Sequence, residues 1–297
     1  MATKQLVSLT GKQQILAPIH PSVAIEIAYQ RKLEAIIKAM HRSILCHVAA
    51  IYRTNPPAMA QDVTIKEYGA ATAMQQYFEE LGKQGTFEEG GVAEALQQHF
   101  EELSKQWIKN FDEAAPAIAK HFATAVTNRA DGALMASLKK AGWTIKFRLD
   151  EDAKEVLRTV IGDNVRLIKS IAPQHLKDVE GLVMESVARG GDHAFLVNEL
   201  VARYGLTRQR AALISRDQNS KANAAILRAR WVKNGIEEAV WMHCHGGNKP
   251  RPTHLANDRK RYKVKDGWYD PAEGRNIFPG ELINCGCVAG IILPGFD

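Results

Sequence analysis

Trp241-Met-His243-Cys244-His245-Gly-Gly-Asn248-Lys-Pro-Arg251-Pro-Thr-His254, and further on Asn284-Cys285-Gly286-Cys287, form the stretch around which this sequence is organised. Three of the four cysteines lie inside it, together with His243, His245 and His254. What precedes it reads mostly as helix. Chemistry and scaffold are therefore separated along the chain.

The 297 residues suffice for two domains, or for one domain with a helical extension. Hydrophobic residues at 45% and charged residues at 24% exclude a chain disordered by composition. A net charge of +6 permits contact with nucleic acid or an acidic partner without demanding it. Four cysteines in so long a chain do not make a disulfide framework, and their clustering with histidines points to a reduced compartment and to metal chemistry. No apolar run has the length of a membrane span, and Met1-Ala-Thr-Lys-Gln-Leu6 lacks the character of a signal peptide.

Along the chain, residues 1–20 read as a polar arm. From Ser22 to about Tyr52, Ile25, Tyr29, Leu33, Ile36, Ile37, Met40, Ile44, Val48 and Ile51 recur at helical spacing. An apolar stripe of that length predicts a helix that docks on another protein. Asn55-Pro56-Pro57 should end it, and residues 58–92 read as loop-rich. Two helices are expected next, over 92–122 and 117–141, meeting at a bend near Pro116 and stopped by Gly142. Trp143–Leu149 alternates as a strand does. A helix follows over 152–162, then the stretch Asn164–Ile171 closed by Pro173, and then a helix over 174–189. The last two expected helices are 192–203, capped by Gly205, and 207–234, opened by Thr207 and stopped at Gly235. Short strands are expected at Val240–Met242 and Val288–Leu293.

Neutral imidazole and thiolate are good zinc ligands, and four protein ligands would make a structural centre. Cys285, Cys287 and His254 could supply three, with Cys244 as the fourth and His243 and His245 competing for that place. Gly286 would let the backbone kink so that both thiolates face one ion. The plainer reading has His254 bonded locally and the cysteines packed at a strand start; a disulfide from Cys244 is a third. Five positive charges at Arg259, Lys260, Arg261, Lys263 and Lys265 surround Tyr262, which would let the run touch phosphate and stack on a base. Arg259, Lys260, Arg261 and Lys263 are the nucleic-acid-binding candidates. Arg203, Arg208, Arg210 and Arg216 could line a second phosphate surface. Histidines near Asn248, Asn257 and Asp258 leave open the alternative of a metal-dependent nuclease acting on DNA. Trp231 and Trp241 read as core.

The order of several segments resembles the phage head morphogenesis family, the minor capsid proteins typified by protein F of phage Mu. Those segments are Asn164–Ile171, the helix ending at Gly190-Gly191, Tyr204-Gly205, Arg210–Arg216, Arg251-Pro-Thr-His254, Phe278-Pro279-Gly280 and Asn284-Cys285-Gly286-Cys287. The resemblance spans about 150–293. Where the family has Arg-Thr-Glu and Cys-Arg-Cys, this chain has Arg216-Asp217-Gln218 and Cys285-Gly286-Cys287. The resemblance implies a minor component of a tailed-phage virion, in the capsid interior or at the portal vertex, assembled in the host cytoplasm. Its partners would be the portal protein and the major capsid or scaffold protein, with contact to packaged DNA, and no catalytic activity is implied. The expected architecture is predominantly helical α+β. A helical attachment region over 1–149 precedes a 150–297 domain, in which a helical bundle carries a small C-terminal β-sheet and the loop-rich His/Cys part spans 236–297.

Overall fold

The computed structural model describes residues 14–54, 92–145, 147, 151–189, 192–246 and 249–293. In chain order these form β1 (Gln14–Ile15), α1 (Val23–Thr54), α2 (Val92–Lys140), α3 (Glu151–Lys169), α4 (Ile171–Ala188), α5 (His193–Lys233) and β2 (Glu238–Met242). They continue as α6 (Pro252–Ala256), β3 (Arg261–Lys263), β4 (Trp268–Asp270), β5 (Arg275–Ile277) and β6 (Val288–Leu293). The fold is predominantly helical α+β, as the sequence predicts. The described residues group into two compact units. One draws on 14–30, 116–165 and 212–293, and the other on 31–54, 92–115 and 166–211.

Packing decides where the helices run, and in three places it overrides local sequence signals. On α1 the stripe Tyr29, Leu33, Ile37, Met40, Ile44 and Val48 is buried within the chain itself. It is not a wet surface awaiting a partner. α2 passes through Pro116 as one helix. An interior proline costs about 3 kcal/mol. Buried side chains continue on both sides of it, from Phe111 and Ala115 through Ala119, Phe122, Val126, Leu134 and Leu138, and outweigh that cost. α5 likewise runs unbroken past Gly205, and Thr207 is no cap: its hydroxyl donates to the carbonyl of Arg203 one turn back.

Other signals hold. Gly142, at φ +85°, ends α2 with bonds from Gly142 N–H to Lys139 O and from Trp143 N–H to Leu138 O. Gly235, at φ +71°, ends α5 in the same way. Pro173 does not close a helix. It sits in the first turn of α4, where its missing N–H has no intrahelical partner to lose. Trp143–Ile145 and Phe147 form no strand, while the rest of that expected strand, the Pro56-Pro57 stop, the 58–91 segment and Gly190-Gly191 lie outside the described residues.

The strands belong to the unit that holds 212–293. An antiparallel sheet runs β1-β6-β2-β3, with Trp241 opposite Ala289 and Tyr262 opposite Ala239, and β4 pairs with β5 in a separate hairpin. Trp241 is fully buried and meets Tyr262 and Trp268 edge to face, so the indole forms the centre of this small β core; Trp231 is buried too.

In the other unit, buried His41 stacks on Tyr204 at 4.3 Å, and Nδ1 of buried His175 lies 2.8 Å from Thr207 Oγ1. Burial pushes both imidazoles down to about 4. Unfolded histidine titrates near pH 6.5, so their contribution is complete above that pH and fades as the pH falls toward 4. Urea unfolding midpoints should therefore drop between pH 7 and pH 4.5, with a loss on the order of 3 kcal/mol for the pair. A His175→Leu chain should show a visibly flatter profile.

Candidate metal centre

His254 stands on α6, a five-residue helix opened by Pro252, and Cys285 and Cys287 lie on the segment leading into β6. Because β6 pairs with β2, this segment is brought against the end of the strand that carries Trp241. All three side chains are buried. His254 Nδ1 lies 3.5 Å from Cys285 Sγ and 3.6 Å from Cys287 Sγ, and the three ligand atoms are within 4.8 Å of one another.

Those separations can be compared with an ion's requirements. Zn–N of about 2.05 Å and Zn–S of about 2.3 Å at a tetrahedral angle put nitrogen and sulfur about 3.6 Å apart. Both nitrogen–sulfur separations meet that spacing. The protein also prepares a thiolate. The Cys287 thiol bonds to Cys285 sulfur and, despite burial acting the other way, holds the Cys285 thiol well below the usual range; His254 and the N–H groups of Cys287 and Gly280 assist. That same bond, with burial, holds the proton on Cys287.

Asp270 completes the arrangement. Its carboxylate is fully buried, accepts from Thr253 Oγ1 at 3.0 Å and Ala272 N–H at 2.8 Å, and places Oδ2 3.7 Å from His254 Nε2. That Nε2 is buried without a hydrogen bond. An ion on Nδ1 would put the proton on Nε2, facing the carboxylate, the usual outer partner of a metal-bound histidine. Trp241 closes the imidazole's flank at 5.2 Å.

Cys244 is exposed and lies outside the trio, yet its sulfur is beside Gly286: a Cβ at 286 would come 2.9 Å from it. Gly286 therefore matters for the room it leaves; its φ is not in the left-handed region. His243 and His245 face Asp258. His243 N–H donates to Asp258 Oδ1 at 2.7 Å, His245 N–H donates to His243 Nδ1, and His245 Nε2 lies 3.1 Å from Asp258 Oδ2. Burial, and after it the nearby His245, lowers the pKa of His243. Asn257 is fully buried beneath this loop, and Asn248 lies outside the described residues.

Among the cationic candidates, Arg259, Lys260, Arg261 and Lys263 are all exposed, with Arg261 3.6 Å from Glu238. Tyr262 is not available to stack on a base. The alternation of β3 turns it inward against Trp241, and burial raises its hydroxyl pKa. Arg203 faces Asp178, Arg208 faces Glu34, and Arg210 bonds Gln174 and Ser170, so these three do not form a common phosphate surface. Arg216 instead lines a cleft that the trio also lines.

Residues 177–290 match the family described as phage Mu protein F like protein. That match bears out the resemblance over a stretch containing the whole trio. The chain is also 32% identical over 142 residues to an uncharacterized protein of Haemophilus influenzae, covering 48% of this chain and 30% of that one. The chain thus spans less than a third of that relative's length. No solved structure matches.

Asp217 has a role that the sequence reading did not assign. Its Oδ1 accepts the Asn284 N–H at 2.8 Å, while Lys221 neutralises Oδ2 at 2.7 Å. Asn284 is at φ +57°, an uncommon conformation that this bond holds just before Cys285. Asp217→Ala should cost on the order of 1–3 kcal/mol locally. Amide exchange at Asn284 to Cys287 should accelerate accordingly, with the β2–β6 ladder unchanged.

Proposed function

We propose that this chain is a minor capsid or head morphogenesis protein of a tailed bacteriophage that binds the portal or inner capsid during prohead assembly. The match over 177–290 carries this reading. Its work is binding and assembly, and no catalytic residue is assigned. Attachment falls to the 1–149 region, and the 236–297 part is held closed by its His/Cys cluster. The portal protein, the major capsid protein and the scaffold protein are the partners. Arg259, Lys260, Arg261 and Lys263 form the surface offered to packaged DNA. The virion is the place of action, and among the described residues no helix is long and apolar enough to cross a membrane.

His254, Cys285 and Cys287, with Cys244 as fourth ligand, would hold a structural zinc ion. Zinc would supply a fixed tetrahedral crosslink there and no redox chemistry. The sulfur-rich set argues against the nuclease alternative, because hard ions that polarise phosphates prefer oxygen ligands.

Two measurements test this reading. Purified chain should contain close to one zinc per chain by elemental analysis, and a Cys285→Ser, Cys287→Ser double variant should contain none and melt at a lower temperature. Co-expressed with the portal and capsid proteins of its own phage, the wild-type chain should co-purify with proheads. Proheads that assemble without it, in its presence, would contradict the assembly role.

A further inference from the structure

A cleft of about 410 Å³, in the same unit, is lined by His254, Cys285 and Cys287 themselves and by the residues around them. Arg216 reaches it from α5, Lys249 and Arg251 from the loop after β2, and Asn284 from the cysteine segment; among the described residues no carboxylate lines it. We infer that this cleft is an oxyanion site that takes a phosphate group of nucleic acid.

The charge balance carries the argument. Three thiolates on a divalent ion would leave the centre with a single negative charge, fewer than the three cations of the cleft wall, so the cleft keeps an excess of positive charge. An arginine guanidinium has five donors in a planar fork suited to a tetrahedral oxyanion. Arg251 Nη2 donates to Ile283 O at 3.2 Å, which fixes its fork on the loop while other donors remain to bind a ligand. Asp217 fixes the neighbouring Asn284 by its backbone, so the far wall is set as well. A single carboxylate would engage one fork, whereas a phosphate can accept from two guanidinium groups and an ammonium at once. The volume admits a nucleotide-sized group.

The inference rests on the reading of the chain as a head protein that meets packaged DNA, but it involves residues distinct from the exposed run at 259–263. It also differs from the metal proposal. Zinc content reports on the clasp, and anion affinity reports on the cleft.

The test is fluorescence anisotropy of a labelled single-stranded DNA oligonucleotide titrated with the full chain as purified, at low salt. Arg216→Gln, Lys249→Gln and Arg251→Gln should each weaken binding several-fold, lowering the salt slope by about one per residue. Lys249 is exposed on its loop, so its variant keeps the test valid if either arginine variant fails to fold. Displacement by millimolar inorganic phosphate would identify a single phosphate group as the ligand, and persistence would identify the polymer backbone; both support the site. Absence of DNA binding by the wild type, equal affinity in all three variants, or equally tight binding of a poly-glutamate peptide would overturn it.

Discussion

One imidazole nitrogen buried 3.5 and 3.6 Å from two cysteine sulfurs is the contact at which the distant segments of the C-terminal part meet. β3, β4 and β5 have three residues each and contribute few ladder hydrogen bonds of their own. Between His254 and Cys285 the chain passes through them with turns at Gly267, Gly274 and Gly280, all at positive φ. Tying the ends of such a loop removes closure entropy from the unfolded state, about 3–4 kcal/mol for some thirty residues on the chain-entropy account of crosslinks. The buried trio is the place where such a tie fits, and Trp241 packs directly against it.

The unit around the sheet is otherwise held by polar groups that a sequence pattern presents as a solvated helix face. On α5, Gln218, Asn219, Asn223 and Arg230 are buried. Asn219 and Asn223 donate to the carbonyls of Ser22 and Ile19, fastening the segment before α1. Gln218 accepts from Asn164, whose own carbonyl oxygen takes the Tyr29 hydroxyl. Arg230 makes a two-pronged pair with Asp131 at 2.7 and 2.8 Å. Each side chain bonds a partner far away in sequence, which offsets the cost of burying it, although Asn219 Oδ1 is left without one.

This explains what was legible in the sequence and what was not. Helix ends set by local chemistry, Gly142 and Gly235, could be read directly, as could the β6 strand and the core role of Trp241. The continuity of α2 through Pro116 and of α5 through Gly205 could not, because tertiary burial outweighs local propensity there. His254, Cys285 and Cys287 were legible because their residue types are rare and chemically matched. Asp270 and Asp217 were not. Each acts on a residue far along the chain, and a lone aspartate carries no signal of the partner that the fold will bring to it. Tyr262 misled for the opposite reason: a basic run looks like a binding surface until strand alternation turns its aromatic residue inward.

The account stands on the ligand atoms themselves, so the most direct measurement is X-ray absorption at the zinc edge of chain purified without added metal. A first shell with sulfur at about 2.3 Å and imidazole nitrogen at about 2.0–2.1 Å is the predicted result. A shell made only of oxygen and nitrogen, or a stably folded chain with no bound metal, would contradict it.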